Sequence, residues 1–546
     1  MRVAAALSGL RQPSSSQFMW QKLRVRRSNK KRISTDKRKS SMAAVMSKHS
    51  FLYELNAYAF VKRLSKQYQK RLSLMTIPPK EWKSITSSGF DYLWLMGVWK
   101  RSPEAHRCAL EVPEWRRGYN EALPDWNEGD IAGSPYAVYE YTIDSFLGED
   151  GNLLEFKAFL NKLGVKLILD FVPNHFALDH PGSRTNPEAF VQGTAEDFKK
   201  YPDLFFETHK SRFFAHGRDP YFPAWPDTVQ VNYFSDSFRD RTMRLLCQLS
   251  QIADGIRCDM AMLGLSRVFQ NTWGSFLKEK MPEKEYWLEV ITAVKKKNPE
   301  FIFIAEAYWD LEWELQQLGF DYTYDKRLYD RLLHASPQDV ATHLRADISY
   351  QRKSVRFIEN HDETRAVTAF GKERSYAAAV VVNTVPGLSM CHDGQQEGRR
   401  IKLPVQMATE PGEESDRETQ EFYEILLKYA TAEPIKNSVW NLHEVTSAWE
   451  HNESFRNILA WSWTHKTKAK LIVINYSSAN SQGKICLPDN WLANSPVNFE
   501  DKLNGEVYTW DPLELKAQGL YVKLAPWKSH FFELRIPENK TIKKKD

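Results

Sequence analysis

The feature that most constrains this chain is a repeated alternation, from Phe51 onward, of short apolar runs with longer amphipathic stretches. Each apolar run has the length of a buried strand, and each amphipathic stretch has the length and period of a helix. Eight strands separated by helices predict a parallel (β/α)8 barrel, the TIM-barrel fold, whose functional residues lie at the carboxyl ends of the strands. The eight predicted strands are Phe51–Asn56, Phe90–Trp99, Val165–Val172, Gly255–Met260, Phe301–Trp309, Phe320–Tyr324, Ser354–Glu359 and Val385–Cys391.

Two further parts interrupt or follow this pattern. The stretch 176–253 is too long for one β/α connection and contains the aromatic and proline-rich segment PYFPAWPD, so it predicts a small lobe inserted after the third strand. After about residue 440 the sequence changes to short alternating runs such as NILAWSWTH and KLIVINYS, which predict a C-terminal antiparallel β-sandwich. We therefore expect a catalytic barrel over 51–435 and a second domain over 440–546.

The basic charge of the chain is concentrated at its start. The chain has 546 residues and a formal charge of +6, but residues 1–50 alone carry +12, so the remainder carries −6. This Arg- and Ser-rich, acid-poor segment resembles an organellar transit peptide. Two alternatives stay open: a disordered basic tail, or translated upstream sequence that precedes a true start at Met19, Met42 or Met46. Because the predicted folded part is acidic, the sequence disfavours a nucleic-acid partner.

Cysteine usage and hydropathy indicate the compartment. The five cysteines are scattered and form no C-x-x-C pair, which argues against a disulfide framework and a zinc site. The sequence has no run of roughly 20 apolar residues that would predict a membrane helix. We expect an intracellular protein, cytoplasmic or organellar, with no membrane partner and an open oligomeric state.

Polar residues interrupt the ends of four predicted strands. Carboxylates that leave neighbouring parallel strands at the same end converge on one cavity, where an unpaired charge would cost several kcal/mol. Structural ion pairs at the rim of the barrel are one interpretation of any single residue. The four segments are DFVPNH at 170–175, GIRCDM at 255–260, FIAEAYW at 303–309 and FIENHD at 357–362.

The combination of residues suits the cleavage of a glycosidic bond with retention of configuration. That chemistry needs a nucleophile, a general acid/base and stabilisation of an oxocarbenium-like transition state. A guanidinium at Arg257 lies two residues before Asp259, on the same face of the strand, and can hold this carboxylate in place. Glu306 follows an apolar run, and such surroundings favour the protonated form of a carboxyl group.

The four segments resemble, in order, the four signature regions of the α-amylase family, glycoside hydrolase family 13. The resemblance covers about Phe51 to Arg535 and includes the segment GSPYAVYEYTIDSFLG at 133–148. It implies a retaining enzyme that cleaves α-1,4-glucosidic bonds of glucans or malto-oligosaccharides through a covalent glucosyl intermediate. An α-transglucosidase and a disaccharide-active enzyme, acting on sucrose, trehalose or maltose, are alternatives. A non-catalytic glucan-binding protein is a further one, although the three catalytic carboxylates that such relatives lose are present here.

Carried over position by position, the resemblance implies a role for each matching residue. Asp259 would be the nucleophile, Glu306 the general acid/base and Asp362 the stabiliser of the transition state. Arg257 would orient Asp259. The residues expected to contact substrate or support those that do are Tyr136, Asp170, His175, Arg257, Trp309 and His361; Trp225 is a further candidate, and both tryptophans could equally pack against the barrel.

The chain departs from the family pattern directly after the nucleophile. Many starch-degrading members have Lys-His there, a pair that contributes to an acceptor subsite and supplies a backbone ligand to a structural calcium. This sequence has Met260-Ala261 instead. Asn174 matches a calcium-ligand position, but an Asn at a strand end can equally hydrogen-bond the loop. The sequence requires no cofactor, leaves a structural calcium doubtful, and predicts no metal ligands.

Overall fold

The structure, a computed structural model, describes residues 47–149, 151–208, 211–432, 435, 437–492 and 496–537. Eight parallel strands close into a barrel in which the eighth strand pairs with the first. The predicted (β/α)8 barrel is confirmed, and each strand overlaps one predicted run. In chain order the barrel strands are Ser50–Asn56, Tyr92–Met96, Lys166–Phe171, Gly255–Cys258, Ile302–Ala305, Tyr322–Tyr324, Ser354–Arg356 and Leu388–His392.

Helices cover the outer face of the barrel and side chains fill its interior, so both faces of the sheet are buried. This is why the strands are almost continuously apolar: all five residues of Tyr92–Met96 are buried, for example. Among the helices that the structure describes, none combines the length and apolar character needed to cross a membrane. The principal helices between and after the strands are Ala57–Gln67, Pro79–Thr86, Pro103–Glu111, Pro113–Ala122, Asn152–Lys162, Asp236–Ile252, Ser266–Trp273, Tyr286–Lys297, Glu312–Gln317, Lys326–His334, Pro337–His343, Ile348–Arg352, Ala366–Phe370, Lys372–Thr384 and Arg417–Ala430.

The insertion after the third strand forms the expected small lobe. The strand His175–Ala177 continues from the barrel motif and pairs with Thr228–Gln230. A three-stranded sheet follows, made of Gln192–Gly193, Arg212–Ala215 and Phe205–Thr208. The helix Asp236–Ile252 then returns the chain to the fourth barrel strand. A further strand pair, Trp99–Arg101 with Val138–Ile143, lies in the connection between the second and third strands.

The C-terminal part forms the predicted antiparallel β-sandwich. Its two sheets enclose a separate apolar cluster that includes Leu471, Val522 and Phe532. The predicted domain boundaries remain predictions. Positions 1–46 of the predicted N-terminal segment lie outside the described residues. The larger sheet contains Ser47–Lys48, Asn437–Leu442, Ile458–His465, Lys468–Asn475, Ser529–Arg535, Val497–Asp501 and Val507–Trp510, and the smaller contains Val445–Thr446, Ser481–Ile485 and Leu520–Leu524.

Two buried tryptophans of the larger sheet join it to the barrel. The indole N–H groups of Trp461 and Trp463 both donate to the carbonyl oxygen of Thr384, at 3.0 and 2.6 Å. Thr384 ends the helix Lys372–Thr384, so the two donors satisfy a carbonyl that the helix itself cannot. The sheet is thereby anchored directly beneath the eighth barrel strand.

Candidate active site

A buried arginine lies at the centre of the carboxyl end of the barrel. Arg257 extends from the fourth strand and is 1% exposed. Its Nη1 lies 2.8 Å from Asp259 Oδ1, and its Nη2 lies 2.8 Å from Glu306 Oε2. One guanidinium therefore pairs with both the predicted nucleophile and the predicted acid/base: Nη1 donates a hydrogen bond to Asp259, and Nη2 forms an ion pair with Glu306.

Asp170 supports this arginine from the third strand. Its carboxylate lies 3.7 Å from Arg257 Nη1 and accepts hydrogen bonds from the Trp94 indole, at 3.2 Å, and the Gly97 amide, at 3.0 Å. Asp170 is 1% exposed. The neighbouring strands thus fix its position from two sides, which fits the supporting role that the sequence analysis predicts.

Glu306 is held by groups on three sides. Besides Arg257, the backbone amide of Met260 donates to its Oε2 at 2.7 Å, and the Tyr308 hydroxyl donates to its Oε1 at 2.9 Å. Met260 has a left-handed backbone conformation, with φ of 42°, and this conformation directs its N–H toward the carboxylate. Both oxygens of Glu306 are therefore positioned by donors.

Asp362 lies beyond the end of the seventh strand and belongs to a second group of charges. Its side chain is 46% exposed, and its Oδ2 lies 3.0 Å from His361 Nε2. The same His361 nitrogen lies 2.7 Å from the Tyr136 hydroxyl, and His361 Nδ1 lies 2.5 Å from Glu54 Oε1. Tyr136 also places its ring 5.2 Å from the Arg257 guanidinium, so it bridges the two groups.

Burial and mutual repulsion favour protonation in the carboxylate group around Arg257. Burial and the adjacent Glu306 raise the pKa of Asp259 to about 8, although Arg257 opposes the shift. Burial raises the pKa of Asp170 to about 6, again against Arg257. In contrast, although burial opposes it, His361 holds the pKa of Asp362 below its usual range. The site thus has a buried carboxyl group at Asp259 that favours its protonated form and a carboxylate at Asp362 that stays ionised.

The two histidines have opposite charge states near neutrality. Burial lowers the pKa of His175 to about 3, so its ring is neutral. Burial would lower the pKa of His361 as well, but Asp362 and Glu54 raise it to about 10. His175 lies beside Trp225, with ring centroids 5.0 Å apart. A neutral ring at 175 and a cationic ring at 361 suit different contacts to sugar hydroxyls.

The aromatic edge of the site contains Trp309, which the sequence predicts, and Tyr221, which it does not. Trp309, three residues after Glu306, lies at this edge, and its ring packs edge-on against Tyr221 with centroids 4.9 Å apart. Tyr221 belongs to the inserted lobe and is 69% exposed. Trp309 and Asp310 both have left-handed backbone, with φ of 63° and 64°. This strained turn presents the Trp309 ring toward the lobe.

The residues at the expected calcium positions are already hydrogen-bonded by protein donors. The side-chain oxygen of Asn174 accepts from the Gln230 amide at 3.1 Å. The carbonyl of Ala261, where the family has its backbone ligand, accepts from the Trp287 indole at 2.7 Å. In the part of the chain that the structure describes, no cluster of three or more His, Cys, Asp or Glu side chains could hold a metal ion. Protein donors thus hold both of these oxygens in place.

Eight of the nine predicted site residues therefore lie around the barrel mouth in contact with one another or with their supports, and Trp309 lies at its edge. Reasoning from sequence missed Trp94, Tyr308 and Tyr221, and it missed Glu54. A signal existed for Glu54, since it is an acidic residue inside the apolar first strand. Tyr308 lies within the motif FIAEAYW, two positions after Glu306.

The fold and the site together define a (β/α)8-barrel protein with a buried arginine–carboxylate centre and a C-terminal β-sandwich. No family model matches the chain. The α-amylase MalA of Haloarcula japonica is 24% identical over 405 residues, which are 72% of this chain and 51% of that protein. The chain thus spans about half the length of the curated relative that it matches.

Solved structures of α-amylase-family enzymes share the fold. A maltogenic α-amylase from Thermotoga neapolitana superposes with a TM-score of 0.62 at 18% identity, covering 89% of this chain and 99% of that one. An α-amylase from Geobacillus thermoleovorans, complexed with acarbose, has a TM-score of 0.59 at 15% identity, with 90% and 98% coverage. The predicted resemblance to the α-amylase family is thereby confirmed, with the subfamily unresolved.

We predict that Asp259→Asn stabilises the protein increasingly as the pH rises. An Asp with a folded pKa of about 8 keeps its proton in the folded state after the unfolded chain has lost it. The free energy of unfolding of wild type therefore falls as the pH rises from about 4 to 8. The Asn side chain does not ionise, so the variant does not show this decrease. Urea unfolding should give equal stabilities near pH 4 and a gain of roughly 1 to 4 kcal/mol for the variant at pH 8. A variant less stable than wild type at pH 8 would contradict this assignment.

We also predict that chelation leaves the folded protein unaffected. Gln230 and Trp287 supply the donors at the positions that calcium would bind. Thermal unfolding should therefore give melting temperatures within about 1 °C with EDTA or with added calcium, because only binding to the folded state shifts stability. Trp287→Phe, which removes the donor to Ala261, should lower the melting temperature under both conditions alike. A rise with calcium would refute the interpretation.

Proposed function

We propose that this protein is a retaining glycoside hydrolase of the α-amylase type, which hydrolyses α-1,4-glucosidic bonds in glucans or malto-oligosaccharides. The observation that carries the proposal is the joint hold of Arg257 on Asp259 and Glu306 at the ends of adjacent strands, with Asp362 across the mouth. The name of the Haloarcula japonica relative, an α-amylase, supports the same substrate class.

In the first step Asp259 attacks the anomeric carbon while Glu306 donates its proton to the leaving glycosidic oxygen. The bond from carbon to that oxygen breaks as the bond to the Asp259 oxygen forms, and this gives a glucosyl ester of inverted configuration. The step needs an ionised Asp259 and a protonated Glu306. Arg257 contacts both groups and opposes the burial that raises the pKa of Asp259 to about 8, so the ionised form of Asp259 gains population as the pH approaches that value.

In the second step Glu306, now ionised, removes a proton from water, and the water oxygen attacks the anomeric carbon. The ester bond to Asp259 breaks, and a sugar with the original α configuration is released. Asp362 would stabilise the positive charge that develops on the sugar ring in both steps. The ring of Tyr136, with His175 and His361, would hold the sugar in the cleaved subsite.

The acceptor that resolves the intermediate decides between hydrolysis and transfer. A sugar hydroxyl in place of water would make the protein a transglucosidase, and a short acceptor side would favour disaccharides. Met260 and Ala261, in place of the Lys-His pair of many starch-degrading relatives, change the acceptor side, so the product pattern has to be measured. The free state of all five cysteines supports an intracellular site of action.

We predict that wild type releases α-configured products from maltoheptaose and that Asp259→Asn and Glu306→Gln do not. Loss of the general acid should reduce kcat by about 10² to 10⁴-fold. Because an aryl glucoside with a good leaving group needs less proton donation, Glu306→Gln should retain more activity on it than on maltoheptaose, whereas Asp259→Asn should lose both. Proton NMR of the reaction gives the anomer and the products. Equal activity of wild type and Asp259→Asn, or a β-configured first product, would contradict the proposal.

We predict that Tyr221→Ala weakens binding on the leaving-group side. Trp309 follows the acid Glu306, so the exposed ring of Tyr221 beside it is placed to stack on the sugars that leave. An aromatic contact is worth about 0.5–1.5 kcal/mol, so KM for maltoheptaose should rise roughly two- to tenfold. Activity on a monosaccharide aryl glucoside should stay at the wild-type level. Tyr221→Phe keeps the ring and is the matched control; a loss as large as that of the alanine variant would show that stacking is not the cause.

A further inference from the structure

Glu54 is a buried carboxylate that the proposed mechanism does not use. It lies in the first barrel strand among apolar neighbours and is 0% exposed. One oxygen, Oε1, lies 2.5 Å from His361 Nδ1 and also accepts from the His361 backbone amide at 3.3 Å. The other oxygen, Oε2, has no hydrogen-bond partner among the described residues. A carboxylate buried in this way is tolerated only beside a compensating positive charge.

The compensating charge is on His361, which connects Glu54 to Asp362. The Nδ1 nitrogen faces Glu54, and Nε2 lies 3.0 Å from the Asp362 carboxylate and 2.7 Å from the Tyr136 hydroxyl. A neutral imidazole has one N–H group and can donate to one carboxylate, whereas an imidazolium can donate to both. The three side chains therefore form a carboxylate–imidazolium–carboxylate row that runs from the barrel interior to the solvent-exposed face of the site.

This row matters because Asp362 is the most exposed of the three proposed catalytic carboxylates. Its side chain is 46% exposed, against 9% for Asp259 and 4% for Glu306. The two buried carboxylates are fixed by Arg257. Asp362 instead takes its orientation from His361 and from the bond between its own amide and the Asn360 side chain. A fixed cation at position 361 is what keeps this carboxylate aimed into the site.

The geometry points to Glu54 as a positioning residue that holds His361 as an imidazolium and so fixes Asp362, an inference that rests on the catalytic role proposed for Asp362. The directions in which the pKa values of His361 and Glu54 shift agree with this inference. Although burial opposes both shifts, Asp362 and Glu54 raise the pKa of His361 to about 10, and His392 and His361 lower that of Glu54. The other titratable or charged groups that face this row are Tyr136, Asp170, Arg257, His392 and Lys402.

The test is Glu54→Gln, which keeps the size of the side chain and removes its charge. The titration of His361 is followed by NMR of protein labelled at the histidine rings, with a His361→Asn spectrum for assignment. Removal of one adjacent carboxylate should lower the His361 pKa by about 1 to 3 units. Glu359→Gln is the matched control, because Glu359 is a barrel carboxylate of 1% exposure that pairs with Arg365, and it should leave the His361 titration in place.

Activity provides a second and separate measurement. At pH 8 to 9 the variant should lose kcat by about tenfold or more, with little change in KM, because its His361 is partly neutral there. Near pH 5 the ring is protonated in both proteins, so activity should return to within about threefold of wild type. Recovery at acid pH distinguishes positioning through charge from structural damage, which would persist at every pH.

The outcomes separate this inference from the proposed function. If wild type cleaves no glucan, the proposed function fails, and the NMR titration still decides whether Glu54 charges His361. If wild type is active and Glu54→Gln leaves both the titration and the pH–rate profile unchanged, the inference is overturned. Should Glu54→Gln fail to fold, wild type alone decides, because a His361 ring that is neutral at pH 8 overturns the inference and a charged one supports it.

Discussion

The barrel mouth is organised around one buried positive charge, the guanidinium of Arg257. Moving such an ion out of water costs several kcal/mol, and the cost is recovered only with close partners and good geometry. Arg257 has Asp170, Asp259 and Glu306 within 4 Å. The rings of Trp94, Tyr136 and Tyr324 surround it at 5.1, 5.2 and 5.7 Å. The need to satisfy this one cation brings residues from the second to the sixth strands to the same point.

A second buried cation, His361, serves the opposite side of the mouth, and the two cations differ in what controls them. A guanidinium stays charged at any working pH, so the contacts of Arg257 persist throughout. An imidazole is charged only while its surroundings keep it so. On the side that contains Asp362 the charge of the cation itself therefore depends on pH, whereas on the Arg257 side only the carboxyl groups titrate. The sensitivity is set by Glu54, which no solvent reaches.

Local pattern was enough to predict the barrel and most of the site, because both depend on periodicity and on residues at strand ends. Seven of the eight observed barrel strands are shorter than the predicted ones. The predicted Phe301–Trp309, for example, becomes Ile302–Ala305, since the chain leaves the sheet where Glu306 turns into the mouth. Glu54 could not be paired with His361 from sequence, because 307 positions separate them and only barrel closure brings them together. Tyr221 was missed for a related reason, since its exposure and its contact with Trp309 depend on how the lobe folds.

Among the described residues, three of the eight non-glycine positions with positive φ lie where barrel strands end in functional residues. Met260, Trp309 and Asp310 are non-glycine residues with positive φ, and each such conformation costs of the order of 1 kcal/mol. A strand that ended in relaxed backbone would avoid this cost, but it would direct the Met260 amide away from Glu306 and the Trp309 ring away from Tyr221. The surrounding barrel, with its fully buried strands, supplies the stability that tolerates these turns. The strained positions thus fall on the two strands that carry Asp259 and Glu306, where the direction of a single N–H or a single ring determines what the carboxylates can do.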